Sequence, residues 1–155
     1  MLQNIAEKNG WHKFISMQNY YNLLYREEER EMIPYCKRTG VGLIPWSPIA
    51  RGVLARPWGQ TSHREDTETM MKLRSSLLSD EEVVGRVEKL AKEKGVSMTM
   101  IASAWVRHKG ATPIIGLNKI ERIDEAVESL KVVLTAEEVK SLDEKYVPKM
   151  PFGHE

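Results

Sequence analysis

The sequence predicts an α/β fold built on a parallel sheet. Three short apolar runs, residues 14–18 (FISMQ), 41–45 (VGLIP) and 112–115 (TPII), read as strands. Segments with helical periodicity separate them and follow the last, and that alternation implies right-handed crossovers between parallel strands. The near-continuous hydrophobicity of the second run argues for burial on both faces, as in a sheet covered by helices, and the first run reads as a buried strand too.

Each element has a local reason. The opening MLQNIAEKNGW reads as the last two turns of a helix closed by Gly10, with no N-cap before it. After the first strand, residues 27–38 form a charged helix: its acidic start suits the positive end of the helix dipole, Lys37, Arg38 and Gly40 mark its stop, and Pro34 kinks it or opens a second segment. Residues 56–79 read as a long polar loop, of a length usually seen in lids or disordered segments, with a short helix over 70–78 inside it. Ser79 and Glu82 match a capping box, and Val83, Val84, Val87, Leu90 and Ala91 then recur at helical spacing up to Gly95. Ser97 caps the next helix, which Val96 staples against Ile101 and which runs through Trp105 to Gly110. Pro113 is tolerable near the start of the third strand. Asn118 with Glu121 suggests a cap for a helix over 120–130, and Thr135 with Glu138 caps a last one through Leu142. The tail, 147–155, has two prolines and reads as irregular. The whole is one domain.

Composition bounds the partners. The 155 residues carry 23 basic and 22 acidic side chains, a net charge of +1, so nothing points to nucleic acid or a membrane surface. No apolar run approaches the ~20 residues of a membrane helix, and the start does not resemble a signal peptide. The single cysteine, Cys36, cannot form an internal disulfide and reads as a small buried residue; a cytoplasmic, reducing setting is the default. The four histidines lack metal-ligand spacing. REEERE reads as a solvated helix face, Trp105 as core, and Trp58 as a lid contact or a loop anchor.

In parallel α/β folds ligands bind outside the carboxyl ends of the strands. Those ends carry Gln18, with an amide that donates and accepts; Trp46 and Ser47, a flat ring and a hydroxyl; and Gly116 with Leu117, where backbone can approach closely. The third strand runs into GLNKIER, so Lys119 and Arg122, three residues apart, fall on one face at a helix start and suit a phosphate. Arg51, just before Gly52, marks a second anion-friendly loop. Taken singly these residues have bland readings: a solvated glutamine, a core tryptophan, a solvated helix face. Their convergence at three successive strand ends favours a site for a planar ligand with two anionic groups, a dinucleotide. Neither G-x-G-x-x-G nor G-x-x-x-x-G-K-[ST] occurs, so such a ligand would bind by another scheme.

The stretch QNYYNLLYREEEREMIPYCKRTGVGLIPWSPIARGVL resembles the second half of aldo-keto reductases, in their fungal and bacterial NADP-dependent oxidoreductase branch, and PIIGLNKIERIDEAV resembles the NADP-binding end. PWSPIARG followed roughly sixty residues later by PIIG-x-x-K is quite specific as a pair. The resemblance implies that Trp46 stacks on nicotinamide and Gln18 hydrogen-bonds its carboxamide. Ser47, Pro48, Ile49 and Gly52 would follow the pyrophosphate. Gly116, Leu117, Lys119 and Arg122 would hold the adenosine 2′-phosphate, and Glu125 would reach the adenine. Many relatives carry asparagine where this chain has Ala126.

The family fold is a (β/α)8 TIM barrel of about 250 residues, so the resemblance implies a partial barrel here: the last three strands with their helices and the C-terminal helix. With the first five strands go the family's aspartate, tyrosine, lysine and histidine, and no catalytic residue is assigned. Tyr20, Tyr21 and Tyr25 do not lie where the family's acid sits. The expected function is the C-terminal part of an NADPH-dependent reductase acting on a small-molecule carbonyl, the chain alone not being catalytically competent. Two alternatives are a non-catalytic NADP-binding or regulatory module, and a phosphosugar-binding barrel fragment. An open sheet would present unpaired edges and an apolar face, which self-association or a complementary chain would cover.

Overall fold

The computed structural model describes residues 2–60 and 78–151. Helix α1 (Leu2–Lys8) leads through Gly10, in the left-handed region at φ 66°, into strand β1 (Ser16–Met17). A 3-10 turn (Glu27–Glu29) precedes α2 (Met32–Thr39), followed by β2 (Gly42–Leu43) and a second 3-10 segment (Ala50–Ala55). Helices α3 (Leu78–Lys94), α4 (Met98–His108), α5 (Ile120–Glu128) and α6 (Ala136–Asp143) complete the order. The expected helix over 70–78, apart from its last residue, lies outside the described residues, as do Met70, Met71, His63 and His154.

Strands β1 and β2 pair in parallel, Ser16 opposite Gly42 and Met17 opposite Leu43. The pairing extends through single bridges from Tyr20 to Trp46 and from Trp46 to Ile114, both parallel. Thr112 N–H donates to Leu43 O and Ile114 N–H to Pro45 O, each at 2.8 Å, so the 112–115 segment lies beside β2 as expected, though joined only by a bridge. Tyr20, Trp46 and Ile114 therefore form one row across three parallel segments. Alternation along each segment puts Gln18, Ile44 and Thr112 in the next row on the same face.

The two faces differ. Leu43, Pro45 and Ala111 are buried against helices, whereas Gly42 and Thr112 are exposed and Ile44 and Trp46 half-buried. The second strand is thus buried on one face and only partly covered on the other. The first run departs further from its expectation, with Phe14, Ile15, Ser16 and Gln18 all exposed and Ile15 84% so. Apolarity registers what a strand would bury; whether a neighbour covers it depends on the rest of the fold.

The core lies between this layer and α3, α4 and α6. Val83, Val84 and Val87 of α3 meet Ile101, Ala102 and Trp105 of α4, and Val139 and Leu142 of α6 close the stack. Removing each such side chain from water contributes about 1.5–3 kcal/mol. Trp105 is fully buried and Trp58 packs against the core as a loop anchor.

Most local signals hold. Ser97 accepts the Met100 N–H, Thr135 and Glu138 form a reciprocal capping box, and Gly40 ends α2 at φ 74°. Pro34 sits in the first turn of α2, where its missing N–H costs no hydrogen bond, so it opens the second of two helical pieces. Two caps differ. Helix α3 begins at Leu78, placing Ser79 inside it, and α5 begins after Lys119, with the Asn118 carboxamide accepting from the Arg122 side chain instead of a backbone N–H. Helix α5 also stops at Glu128, a 3-10 turn (Ser129–Lys131) finishing the segment.

REEERE is more than a solvated face. Arg26 reaches Glu29 and Asp143, and the Glu27 carboxylate accepts from the Tyr146 hydroxyl and the Lys149 N–H. Lys149 also grips Asp80, its ammonium 2.6 Å and 2.7 Å from the two carboxylate oxygens. Residues 147–151 lack regular structure, yet these contacts tie them to two distant elements.

Candidate functional site

A cleft of about 820 Å³ opens at the carboxyl ends of β2 and the 112–115 segment. Its walls come from the loop after β2, the start of α4 and the inner side of α5. Nine of the twelve residues expected from sequence line it: Ser47, Pro48, Ile49, Arg51, Gly52, Gly116, Leu117, Arg122 and Glu125. Gln18, Trp46 and Lys119 are not among its walls.

The loop after β2 is conformationally costly. Ser47, Ala50 and Arg51 have φ of 53°, 48° and 56°, and Gly52 lies at 108°. Left-handed conformations at non-glycine residues cost about 1–3 kcal/mol each and concentrate where a loop is shaped for a ligand. Asn22, fully buried, holds this loop: its Nδ2 donates to Ser47 O at 3.1 Å while its Oδ1 accepts Leu24 N–H at 2.9 Å. Sequence reasoning passed over Asn22; the signal was an asparagine in the turn just beyond a strand, followed by two leucines.

Trp46 borders the cleft through Arg51, whose guanidinium carbon lies 5.6 Å from the Trp46 ring centroid and which itself lines the wall. The Trp46 ring also stacks on Tyr20, centroids 4.4 Å apart. Gln18 is exposed on the Trp46 side of the sheet, one row back.

Lys119 and Arg122 do not share a helix face. Lys119 has extended backbone, φ −146° and ψ 148°, and α5 starts after it, so only Arg122 turns to the cleft, donating to Asn118 Oδ1 at 2.9 Å. The opposite side of α5 presents Ile120, Ile123 and Val127 to solvent.

Arg51, Arg56 and Arg122 line the walls with one described carboxylate, Glu125. That balance favours an anionic ligand. Hydroxyls of Ser97, Thr99, Ser103 and Ser129 line the side formed by α4 and the end of α5. Ser103 is 1% exposed and its Oγ has no hydrogen-bond partner among the described residues. Arg56 and these hydroxyls were not foreseen as site residues: Arg56 opens the stretch that reads as a polar loop, Ser97 reads as a helix cap, and helical periodicity marks Ser103 only as an interruption of an apolar face. Tyr20, Tyr21 and Tyr25 do not line the cleft, although Tyr20 stacks on Trp46 at its border. Tyr21 is buried and donates to Glu29; burial, then that carboxylate, pushes its hydroxyl far above the ordinary phenol range. Among the described residues no three His, Cys, Asp or Glu side chains cluster as a metal site, and no helix is long and apolar enough to cross a membrane.

The family model described as the aldo/keto reductase family matches residues 1–147. The chain belongs to the aldo/keto reductase family. It is 58% identical over 154 residues to the versiconal hemiacetal acetate reductase of Aspergillus parasiticus, covering 96% of this chain and 45% of that protein. It is 46% identical over 155 residues to the aldo-keto reductase AMT2 of Alternaria alternata, covering 99% of this chain and 42% of that one. This aldo/keto reductase chain thus spans less than half the length of these relatives. The crystal structure of the thermostable aldo-keto reductase Tm1743, in complex with the inhibitor epalrestat, superposes with a TM-score of 0.67 at 22% identity, over 93% of this chain and 44% of that one. The likeness shows the fold, and the mixed helices and small parallel sheet here are consistent with part of a (β/α)8 barrel.

Proposed function

We propose that this chain is the cofactor-holding part of an NADP(H)-dependent carbonyl reductase, comprising the last three strands of its barrel. The observation that carries the reading is the single cleft that gathers nine of twelve expected residues around three arginines. The donor set fits the cofactor. Arg122 and Asn118 would meet a 2′-phosphate, Ser47 and the strained loop through Gly52 a pyrophosphate, and the ring of Trp46 and the carboxamide of Gln18 a nicotinamide. Lys119, next to Asn118 but outside the cleft walls, would contribute only longer-range positive charge at the phosphate end.

When bound, nicotinamide supplies the hydride that reduces an aldehyde or ketone, or takes it back from the alcohol. The chain's own residues bind and orient; the proton would come from the part of the longer relatives that this chain does not span. The cleft's described walls hold no tyrosine, lysine or histidine. That favours a binding-competent and turnover-deficient chain when taken alone, the respect in which it would behave as a non-catalytic NADP-binding module.

Titration of the full chain with NADPH, followed by tryptophan fluorescence, tests this. Saturable quenching is expected, diminished in Trp46→Ala and shifted about tenfold to weaker binding in Arg122→Ala. Absence of quenching would remove the reading, and aldehyde reduction by the purified chain would overturn the catalytic deficit.

A further inference from the structure

We infer that the outer edge of β1 joins a second copy of this chain, strand against antiparallel strand, about a two-fold axis at Met17. The bonds from β2 land on odd-numbered residues of β1 and its extension: Gly42 N–H donates to Ile15 O, Ile44 N–H to Met17 O and Trp46 N–H to Asn19 O, each at 2.9 Å. Alternation therefore turns the N–H and C=O of Ser16 and Gln18 outward, where no described hydrogen bond meets them. Phe14 points outward too, but it is already satisfied. The Gln3 carboxamide of α1 donates to its C=O and accepts its N–H, both at 2.8 Å. Gln3 thus ends the free edge, leaving Ser16 and Gln18 for a partner.

That remaining edge is self-complementary. In an antiparallel ladder Ser16 exchanges both backbone bonds with the partner's Gln18, and Gln18 with the partner's Ser16, which sets the two Met17 residues opposite each other. Opposed residues share a face, so the partner's Ile15 and Met17 enter the groove of about 400 Å³ that Leu2, Phe14, Met17, Met32, Tyr35 and Val41 line beside β1. Ile15, 84% exposed in the single chain, leaves water there. Charge favours the same orientation. Lys8, His12 and Lys13, against Glu7, precede the amino end of β1, whereas Glu31, the one described charged side chain on the groove, stands at the start of α2 beyond the carboxyl end. Antiparallel copies bring the opposite signs together.

The other edge of the layer explains why the assembly stops at two. Thr112 and Ile114 send their N–H groups to β2, so Pro113 faces outward and has no N–H to offer. Residues 14–18 hold neither proline nor charge to blunt their edge. A layer open along one edge closes as a dimer. The cleft shares no lining residue with the groove, so the pairing leaves it free in both copies.

Sedimentation velocity on the full chain tests this. A monomer–dimer equilibrium with no larger species is expected. Ile15→Lys, at a side chain already in water, and Ser16→Pro, which deletes an N–H that β2 does not use, should each weaken the dimer about tenfold or more while the dilute monomer melts as the parent does. Met17→Cys reads the register. Cys36 is buried, so mild oxidation should link this variant into a disulfide dimer through residue 17 alone. Should Ser16→Pro not fold, Ile15→Lys and Met17→Cys carry the test. A chain that stays monomeric up to about 100 μM, a ladder of larger oligomers, a dimer that Ile15→Lys leaves intact, or a Met17→Cys dimer that does not link overturns the inference. The exposed apolar side of α5 is the rival surface: dissociation by Ile123→Lys with no effect of Ile15→Lys would place the contact there and overturn the β1 pairing.

Discussion

The Trp105 indole N–H donates to Asp143 Oδ1 at 2.8 Å, joining the centre of α4 to the last residue of α6. Arg26 Nη1 reaches the same oxygen at 3.0 Å and Lys109 Nζ, from the C-cap of α4, the other at 2.5 Å, so three donors from two segments converge on one carboxylate. Asp143→Ala would leave the buried indole N–H and the Lys109 ammonium without this acceptor and Arg26 with Glu29 as its carboxylate partner. We expect a loss of roughly 2–3 kcal/mol by urea unfolding at pH 7. A loss under about 0.5 kcal/mol, the level of an exposed surface pair, would show the hub to be incidental.

Lys149 and Asp80 form the best-buried ion pair described, with side chains 16% and 5% exposed. Burial pushes the Asp80 carboxyl above its ordinary range, and the Lys149 ammonium offsets this only in part. Lys149→Met should cost about 2–4 kcal/mol at pH 7, because a buried carboxylate is left unpaired, and adding Asp80→Asn should recover most of it. In the single variant the raised carboxyl makes the penalty fade as pH falls below its folded pKa, since the protonated group needs no partner. Additive effects of the two substitutions would contradict the pairing.

Glu27 has the opposite sign. Burial raises its carboxyl, but the Tyr146 hydroxyl, the Lys149 N–H and Arg30 together hold it below the ordinary value. Its contribution is therefore present above the unfolded pKa of about 4.3 and lost as pH falls through the lower folded value. Tyr146→Phe removes one of those donors, together with the acceptor for Arg26 N–H. The urea midpoint should drop by the equivalent of about 1–2 kcal/mol at pH 7 and by visibly less at pH 3. An equal drop at both would separate Tyr146 from the titration.

Gly52, at φ 108°, tests the strained loop. A Cβ there would meet only the Arg56 guanidinium at 3.5 Å, an ordinary contact, so space does not forbid alanine. Backbone conformation does. Gly52→Ala should destabilise by about 1–2 kcal/mol and weaken NADPH binding in the fluorescence titration. Unchanged stability would mean that the loop relaxes without cost.

Gly40 and Thr135 were legible as helix boundaries because their signals are contacts within about four residues, which any sequence window contains. Asn118 misled for the same reason: it looked like a cap, but the Arg122 side chain one turn on took its acceptor. The parallel order of the segments and nine of the residues that line the cleft were legible from strand ends and motif resemblance, and the loop from Ser47 to Gly52 was anticipated as a candidate site. Its tether to Asn22 was not.

By itself the sequence determined the order of elements, their main stops and the residues that gather near the strand ends, since periodicity, caps and glycines act locally. Tertiary structure alone decided which sheet face stays open, which of Lys119 and Arg122 turns inward, and that Ser97 meets Glu125, Trp105 meets Asp143 and Glu27 meets the tail. Those partners stand 28, 38 and 119–122 residues apart along the chain. Nothing in either partner's neighbourhood encodes such a meeting; it exists only once the helices have packed and the distances have closed.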